Sequence, residues 1–170
     1  MSRVYISIGS NQNTKANVRA AMDALSAQFS ELVVSSVYES EAVGFEGENF
    51  LNLVVGLSTD VPVGQLAEWL KQVEDDNGRE RNLPRFSSRT LDLDVLTYGD
   101  AVGTIGGVEL PRSEILSNAF VLQPLAEIAP DERHPVNGQR YADLWQAYER
   151  DQRLWPIEFE WQGQRISPRG

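Results

Sequence analysis

A chain of 170 residues, 41% hydrophobic and 24% charged, is expected to form one globular domain over residues 1–170 with a sizeable core. Its net charge of −10 argues against non-specific nucleic-acid or anionic-membrane binding, so an anionic ligand must be held by clustered arginines or by metal ions. The absence of cysteine excludes disulfides and thiolate metal sites, and no apolar run approaches the roughly 20 residues of a membrane span.

The start, "MSRVYISIGSN", lacks the apolar core of a signal peptide, so a cytoplasmic location is the default expectation. Within it "RVYISI", residues 3–8, reads as a buried strand stopped by Gly9, Ser10 and Asn11. Between residues 14 and 29, Val18, Ala21, Met22, Leu25 and Phe29 recur at helical spacing. A β-rich run, "LVVSSVYES", a glycine-marked loop, "VGFEGE", and a second strand, "NFLNLVVGL", follow. Val63, Leu66, Leu70 and Val73 then form one stripe of a helix over residues 62–77. Residues 77–90 are polar and read as a loop, and an aspartate-bearing strand comes next. After a turn at Gly99 and Asp100, "TIGGVELP" predicts a short edge element. "SNAFVLQPLAEIAP" predicts a helix entered through Ser117 or Asn118 and broken by Pro124 or Pro130. The tail adds a helical stretch, "YADLWQAYER", and the alternating "LWPIEFEW". There is no linker, internal repeat or low-complexity segment. The order β-α-β-β-α-β with C-terminal additions is that of an α/β (α+β) ferredoxin-like fold, an arrangement shared by many functions.

The sharpest feature is "RFSSRTLDLDVLTYG", residues 85–99. Leu91, Leu93 and Val95 alternate with Asp92 and Asp94, which gives a strand one apolar face and two neighbouring carboxylates on the other. Unpaired, such carboxylates repel, and one tends to stay protonated. A hard divalent cation resolves the conflict, because carboxylates plus substrate phosphates are the usual ligands of magnesium. A solvated strand face ion-paired to nearby arginines resolves it too. Arg79, Arg81, Arg85 and Arg89 are four of the chain's 15 basic residues, and they fall just before the pair. Guanidinium groups suit phosphate oxygens through bidentate, charge-assisted bonds, although the same loop also offsets Glu74, Asp75 and Asp76.

These residues are part of a longer pattern. In order, "YISIGSN", "SSVYESEAVG", "NFLNLVV", "GRER" with "SSRTLDLDVL", "ELPR" and "FVLQPLAEIAP" run through roughly residues 4–135. With that pattern the chain resembles the 6-hydroxymethyl-7,8-dihydropterin pyrophosphokinase family of folate biosynthesis, the R-T-L-D-L-D run being its most specific part. The resemblance implies a ferredoxin-like fold and transfer of pyrophosphate from ATP, a co-substrate, to a pterin alcohol with release of AMP. It implies two magnesium ions held by Asp92 and Asp94 between the polyphosphate and the pterin hydroxyl. The hydroxymethyl oxygen would attack the β-phosphorus in line, and no protein base is assigned.

Position by position, Arg79 and Arg89 match phosphate-contacting arginines and stand with Asp92 and Asp94 as the expected catalytic set. Arg81 matches a loop arginine that helps close the site, and Glu74 a carboxylate near the nucleotide pocket. Asn52 matches the amide that hydrogen-bonds the pterin ring, and Phe120 the aromatic that stacks on it opposite Phe50. Strand alternation puts Phe50 and Asn52 on one face, so stacking and edge recognition converge. Ser40 and Val43 match positions whose backbone lines the pterin slot, where side-chain identity should matter less, and Gly9 a glycine near the pterin.

Some positions depart from the pattern. Phe50 replaces a common tyrosine, Phe86 the loop tryptophan that covers the pterin, and Ser87 a glycine or alanine. Arg112 stands where the family has a nucleotide-contacting histidine, and Asn118 where it has an ATP-reaching arginine. Arg112 is expected to take over part of the role missing at 118, so both count as ATP-binding. Losing one charge-assisted contact costs on the order of 1.5–3 kcal/mol, about ten- to a hundredfold, which reduces activity without abolishing it.

His134, the only histidine, is expected in a surface loop with no catalytic role, and Trp145, Trp155 and Trp161 as packing residues beyond the match. Alternative readings are a divergent paralogue acting on another pterin alcohol and a non-catalytic pterin- or nucleotide-binding module. A sugar-nucleotide transferase built on D-x-D is disfavoured by the short chain and the lack of a Rossmann-type glycine loop. Expected partners are small-molecule substrates, with no nucleic acid, membrane or obligate protein partner.

Overall fold

In the computed structural model, residues 1–41, 49–77, 91–149 and 152–168 are described. Alternation builds the sheet. In β1 (Ser2–Ser10), Val4, Ile6 and Ile8 point to one side, and Leu53, Val55 and Leu57 of β4 (Phe50–Thr59) join them. The helical stripes close over that side: Val18, Ala21, Met22 and Leu25 of α1 (Thr14–Gln28), and Leu66, Leu70 and Val73 of α2 (Val63–Asp76). Both helices thus pack on one sheet face, because both connect parallel strands by right-handed crossovers.

The strands between α1 and β4 are β2 (Val33–Val34) and β3 (Tyr38–Ser40), and β5 (Asp92–Tyr98) follows α2. The sheet order is β5-β1-β4-β3, every neighbouring pair antiparallel. Two interleaved βαβ units in this order make the expected ferredoxin-like core. The run "LVVSSVYES" divides into β2 and β3 because side chains replace part of the ladder at Ser35 and Ser36, although the Ser35 N–H still donates to the Val54 carbonyl at 3.0 Å. The Ser35 hydroxyl accepts the Val54 N–H at 2.9 Å, and Glu127 accepts the Ser36 N–H and hydroxyl at 2.6 and 2.7 Å.

The opposite sheet face is covered only in part. Tyr5, Val54 and Leu96 pack against Val121, Leu122 and Leu125 of α4 (Ala119–Ile128) and Tyr141 of α5 (Tyr141–Gln146). Tyr5 donates to Glu132 there, and burial, then that bond, push its phenol up to about 12. Pro124 lies inside α4 rather than breaking it. Burial of Val121, Leu122, Leu125 and Ala126 holds the helix through the missing amide, and it ends before Pro130. The remainder of this face, around Asp92, Gly9 and Asn52, is left open as the floor of a cavity.

"TIGGVELP" forms a two-stranded sheet of its own, β6 (Gly103–Ile105) and β7 (Val108–Leu110), instead of extending the main sheet edge. Gly106 and Gly107 turn it with φ of 57° and 81°, the primed-turn geometry that only glycine adopts cheaply. The tip packs on the first turn of α2 so closely that a Cβ on Gly106 would lie 2.8 Å from the Gly64 Cα. A one-turn helix, α3 (Glu114–Ser117), leads into α4.

The tail is built onto this core. β8 (Leu154–Pro156) extends the main sheet beyond β3, and β9 (Phe159–Trp161) pairs with β10 (Gln164–Ser167). The tail tryptophans do more than pack: Trp155 donates to Glu39 at 2.9 Å and Trp161 to Asp23 at 2.8 Å, while Trp145 stacks on Tyr148. His134 is not at the surface. It is 4% exposed, and its Nδ1 accepts the N–H groups of Val136 and Asn137 at 3.2 and 3.0 Å. Burial lowers its pKa, which suits a neutral ring holding a loop together.

Candidate active site

Three adjacent strands set the floor. Across the sheet Asp92 pairs with Gly9 and Gly9 pairs with Asn52, so a carboxylate, a bare backbone position and an amide stand in one row. Glycine in the middle keeps the row open, because a Cβ at position 9 would come within 3.3 Å of the Asn52 Oδ1 and push that amide aside by a few tenths of an ångström. Asp92 and Asp94 share the cavity face while Leu91, Leu93 and Val95 are buried in the core. The periodicity of "TLDLDV" therefore placed these side chains correctly.

Asn52 is 6% exposed, and its Nδ2 donates to the Ser40 hydroxyl at 2.8 Å. Its second amide hydrogen and its carbonyl oxygen are the complement that a donor–acceptor edge requires. The Ser40 side chain thus takes part in the hydrogen bonding at the cavity wall, whereas the resemblance pointed to its backbone. Ser40→Ala would leave a buried amide hydrogen without that acceptor, a cost of about 1–3 kcal/mol. We expect a thermal midpoint lower by several degrees in a calorimetric scan of Ser40→Ala. Phe50, on the same face of β4, and Phe120, on the first turn of α4, are half-buried and line the same cavity.

Glu74 reaches the metal-strand candidate from α2. It is 4% exposed, and its Oε2 accepts the Leu93 N–H at 2.7 Å, between the two aspartates. β5 is an edge strand, so its outer amides need partners from outside the sheet, and a buried carboxylate is a strong one. Glu74 lines the cavity wall while bracing the strand that bears Asp92 and Asp94.

Arg112 is anchored through its backbone, whose N–H donates to the Leu96 carbonyl of β5 at 2.9 Å. That bond delivers its guanidinium to Asp94, with NH1 3.6 Å from Oδ1, while Nε and NH2 each lie 2.8 Å from Glu114 Oε1. Burial alone would lower the Arg112 pKa. The neighbouring charges of Asp94, Glu114 and Glu109 and the bond to Glu114 outweigh it and hold the group above its usual value. Asn118, at the α3–α4 junction, lines the cavity too.

All of these residues surround one cavity of about 960 Å³, at the upper end of the range for ligand sites and large enough for two substrates side by side. Sequence reasoning missed Glu114, Lys71, the Gly64–Gly106 contact and Gln152, which also line it. Glu114, two residues after Arg112, is the one with a local signal. Arg79, Arg81, Arg89, Phe86 and Val43, with Ser87, lie outside the described residues.

Two carboxylates on one strand face fit a hard cation that takes its remaining oxygens from phosphates and water. Among the described residues no group of three or more carboxylate, histidine or cysteine side chains is placed to hold a metal ion.

The family model described as 7,8-dihydro-6-hydroxymethylpterin-pyrophosphokinase (HPPK) matches residues 5–130. The chain belongs to this family. Among its relatives, the 2-amino-4-hydroxy-6-hydroxymethyldihydropteridine pyrophosphokinase of Pseudomonas aeruginosa is 34% identical over 148 residues, covering 85% of this chain and 90% of that protein. Its Aquifex aeolicus namesake is 34% identical over 139 residues, covering 80% and 86%. Among solved structures, wild-type Plasmodium falciparum HPPK-DHPS with SDX-DHP aligns with a TM-score of 0.67 at 13% identity, covering 87% of this chain and 44% of that one. That likeness shows the shared fold. The HPPK family is one of pyrophosphokinase enzymes, and the ten described residues expected in its site, from Gly9 to Phe120, all meet at the cavity. No helix among the described residues is long and apolar enough to cross a membrane.

Proposed function

We propose that the protein transfers the pyrophosphoryl group of ATP to the hydroxymethyl oxygen of 6-hydroxymethyl-7,8-dihydropterin and releases AMP. The observation that carries this reading is the convergence, in one cavity, of a paired-aspartate strand with an amide-and-aromatic pocket, in a chain of the HPPK family.

The pterin ring lies between Phe50 and Phe120, with Asn52 hydrogen-bonding its edge and the Ser40 hydroxyl holding that amide in orientation. This binding points the hydroxymethyl group along the row toward Gly9 and Asp92, where the absence of a side chain leaves room. Asp92 and Asp94 would hold magnesium, expected as two ions, which would supply neutralisation of phosphate charge and acidification of the attacking hydroxyl. Glu74 keeps both carboxylates in register by fixing the Leu93 amide between them. Arg79, Arg81, Arg89, Arg112 and Asn118 bind the polyphosphate, and Phe86 and Val43 complete the pterin slot. The new bond joins the hydroxymethyl oxygen to the β-phosphorus as its proton passes to solvent, and the bond from β-phosphorus to the α–β bridging oxygen breaks with AMP as leaving group. Positioning and charge stabilisation supply the rate, as is general for phosphoryl transfer.

The test is direct: incubate the protein with magnesium-ATP and hydroxymethyldihydropterin. AMP should appear with one equivalent of pterin pyrophosphate, and only when the pterin is present. ADP as the product, or ATP consumption independent of pterin, would overturn the assignment.

A further inference from the structure

The family match ends at residue 130, yet a residue far beyond it lines the same cavity: Gln152. It reaches the α3–α4 junction, where its Oε1 accepts the Ala119 N–H at 2.6 Å and its Nε2 donates to the Ser117 carbonyl at 3.3 Å. Tyr148, also from the tail, places its hydroxyl 2.9 Å from that carbonyl and 3.2 Å from Oε1. Ala119 is the first residue of α4 and only 1% exposed, so its amide has no intrahelical acceptor and no ready access to water. Asn118 precedes it, a residue type that ordinarily caps a helix with its own side chain. Here Asn118 makes no such capping bond and stands on the cavity wall instead.

We propose that Gln152 is a positioning residue of the active site. Supplied by the C-terminal extension, it accepts the first amide of α4, one that an N-cap side chain, which reaches the second and third amides, does not serve. That bond fixes the start of α4 and holds Phe120, one residue past the capped position, at the pterin slot. The inference rests on the pterin-and-ATP reading above for its kinetic consequence, and on the hydrogen bonds alone for its structural one.

The experiment compares full-length wild type with Gln152→Ala and Gln152→Glu. In Gln152→Ala, hydrogen exchange at the Ala119 amide should quicken by about tenfold, as loss of one helix cap implies. The KM for hydroxymethyldihydropterin should rise about three- to tenfold, with kcat changed less than about twofold. Gln152→Glu should keep both close to wild type, because a carboxylate still accepts the Ala119 N–H and its charge suits a helix N-terminus, which offsets loss of the longer bond to the Ser117 carbonyl. Unchanged exchange and unchanged pterin KM in Gln152→Ala would overturn the proposal, as would a fall in kcat with KM unaltered. Should Gln152→Ala not fold, Gln152→Asn replaces it: one methylene shorter, it should reproduce the KM rise, and a KM equal to that of Gln152→Glu would refute the cap. If wild type made no AMP, the enzymatic reading would fail, while exchange at Ala119 would still decide the cap.

Discussion

Asp94→Ala and Asp92→Ala should each lower pyrophosphoryl transfer by at least about a thousandfold while leaving the fold intact, since a metal-held polyphosphate contributes several kcal/mol of transition-state stabilisation. The structural half follows from strand alternation. The apolar side chains that anchor this strand, Leu91, Leu93 and Val95, are 0–5% exposed on the opposite face, so truncating either carboxylate makes no hole in the core. Removing one of two neighbouring like charges also relieves repulsion in the metal-free protein. The thermal midpoint should change little, since in Asp94→Ala loss of the Arg112 ion pair offsets that relief, while manganese binding followed by paramagnetic resonance should weaken sharply. Turnover close to wild type in either variant would end the assignment of the pair as the metal site.

Arg112→Ala is the second large effect, and it should act in opposite directions on two ligands. ATP brings about four negative charges and two dications cancel about as many, but charge migrating during transfer still needs adaptable donors. Arg112 is a fixed cation already poised beside Asp94, held there by Glu114 and by its own backbone bond to Leu96. Its loss should weaken ATP affinity or turnover at least about tenfold, the worth of one charge-assisted contact. Asn118→Arg in that background should recover part of the deficit, because both positions line one cavity. Binding of manganese alone should tighten instead, since the guanidinium 3.6 Å from the Asp94 Oδ1 no longer competes for the carboxylate. The gain is modest because both groups are about one-third exposed and solvent screens the pair. Pterin binding without nucleotide should not move, its proposed partners being Phe50, Asn52 and Phe120. Unaltered ATP kinetics in Arg112→Ala would return Arg112 to the role of an ion-pair partner for Glu114.

What could be read from the sequence alone was whatever repeats over a few residues. The helical stripes of α1 and α2, the alternation in β1, β4 and β5, the shared face of Asp92 and Asp94, and that of Phe50 and Asn52 all follow from local geometry with periods of 3.6 or 2. The motif order brought the fold and the enzyme family with it. Tertiary structure decided the contacts that have no period. The break between β2 and β3 depends on Glu127, 91 residues from Ser36, and no propensity in "LVVSSVYES" announces it. Glu74 finds the Leu93 amide only because α2 packs beside the edge strand, and Ser40 finds Asn52 only through strand register. His134 is buried because its loop folds back onto the ring, against the ordinary expectation for a polar residue between prolines and charges. Gln152 has no local signal at all: its role exists only where the tail crosses the α3–α4 junction. Local periodicity specifies which face a side chain occupies. Its partner across the fold is set by how those faces close on one another, and in this protein that closure determines what surrounds the paired aspartates.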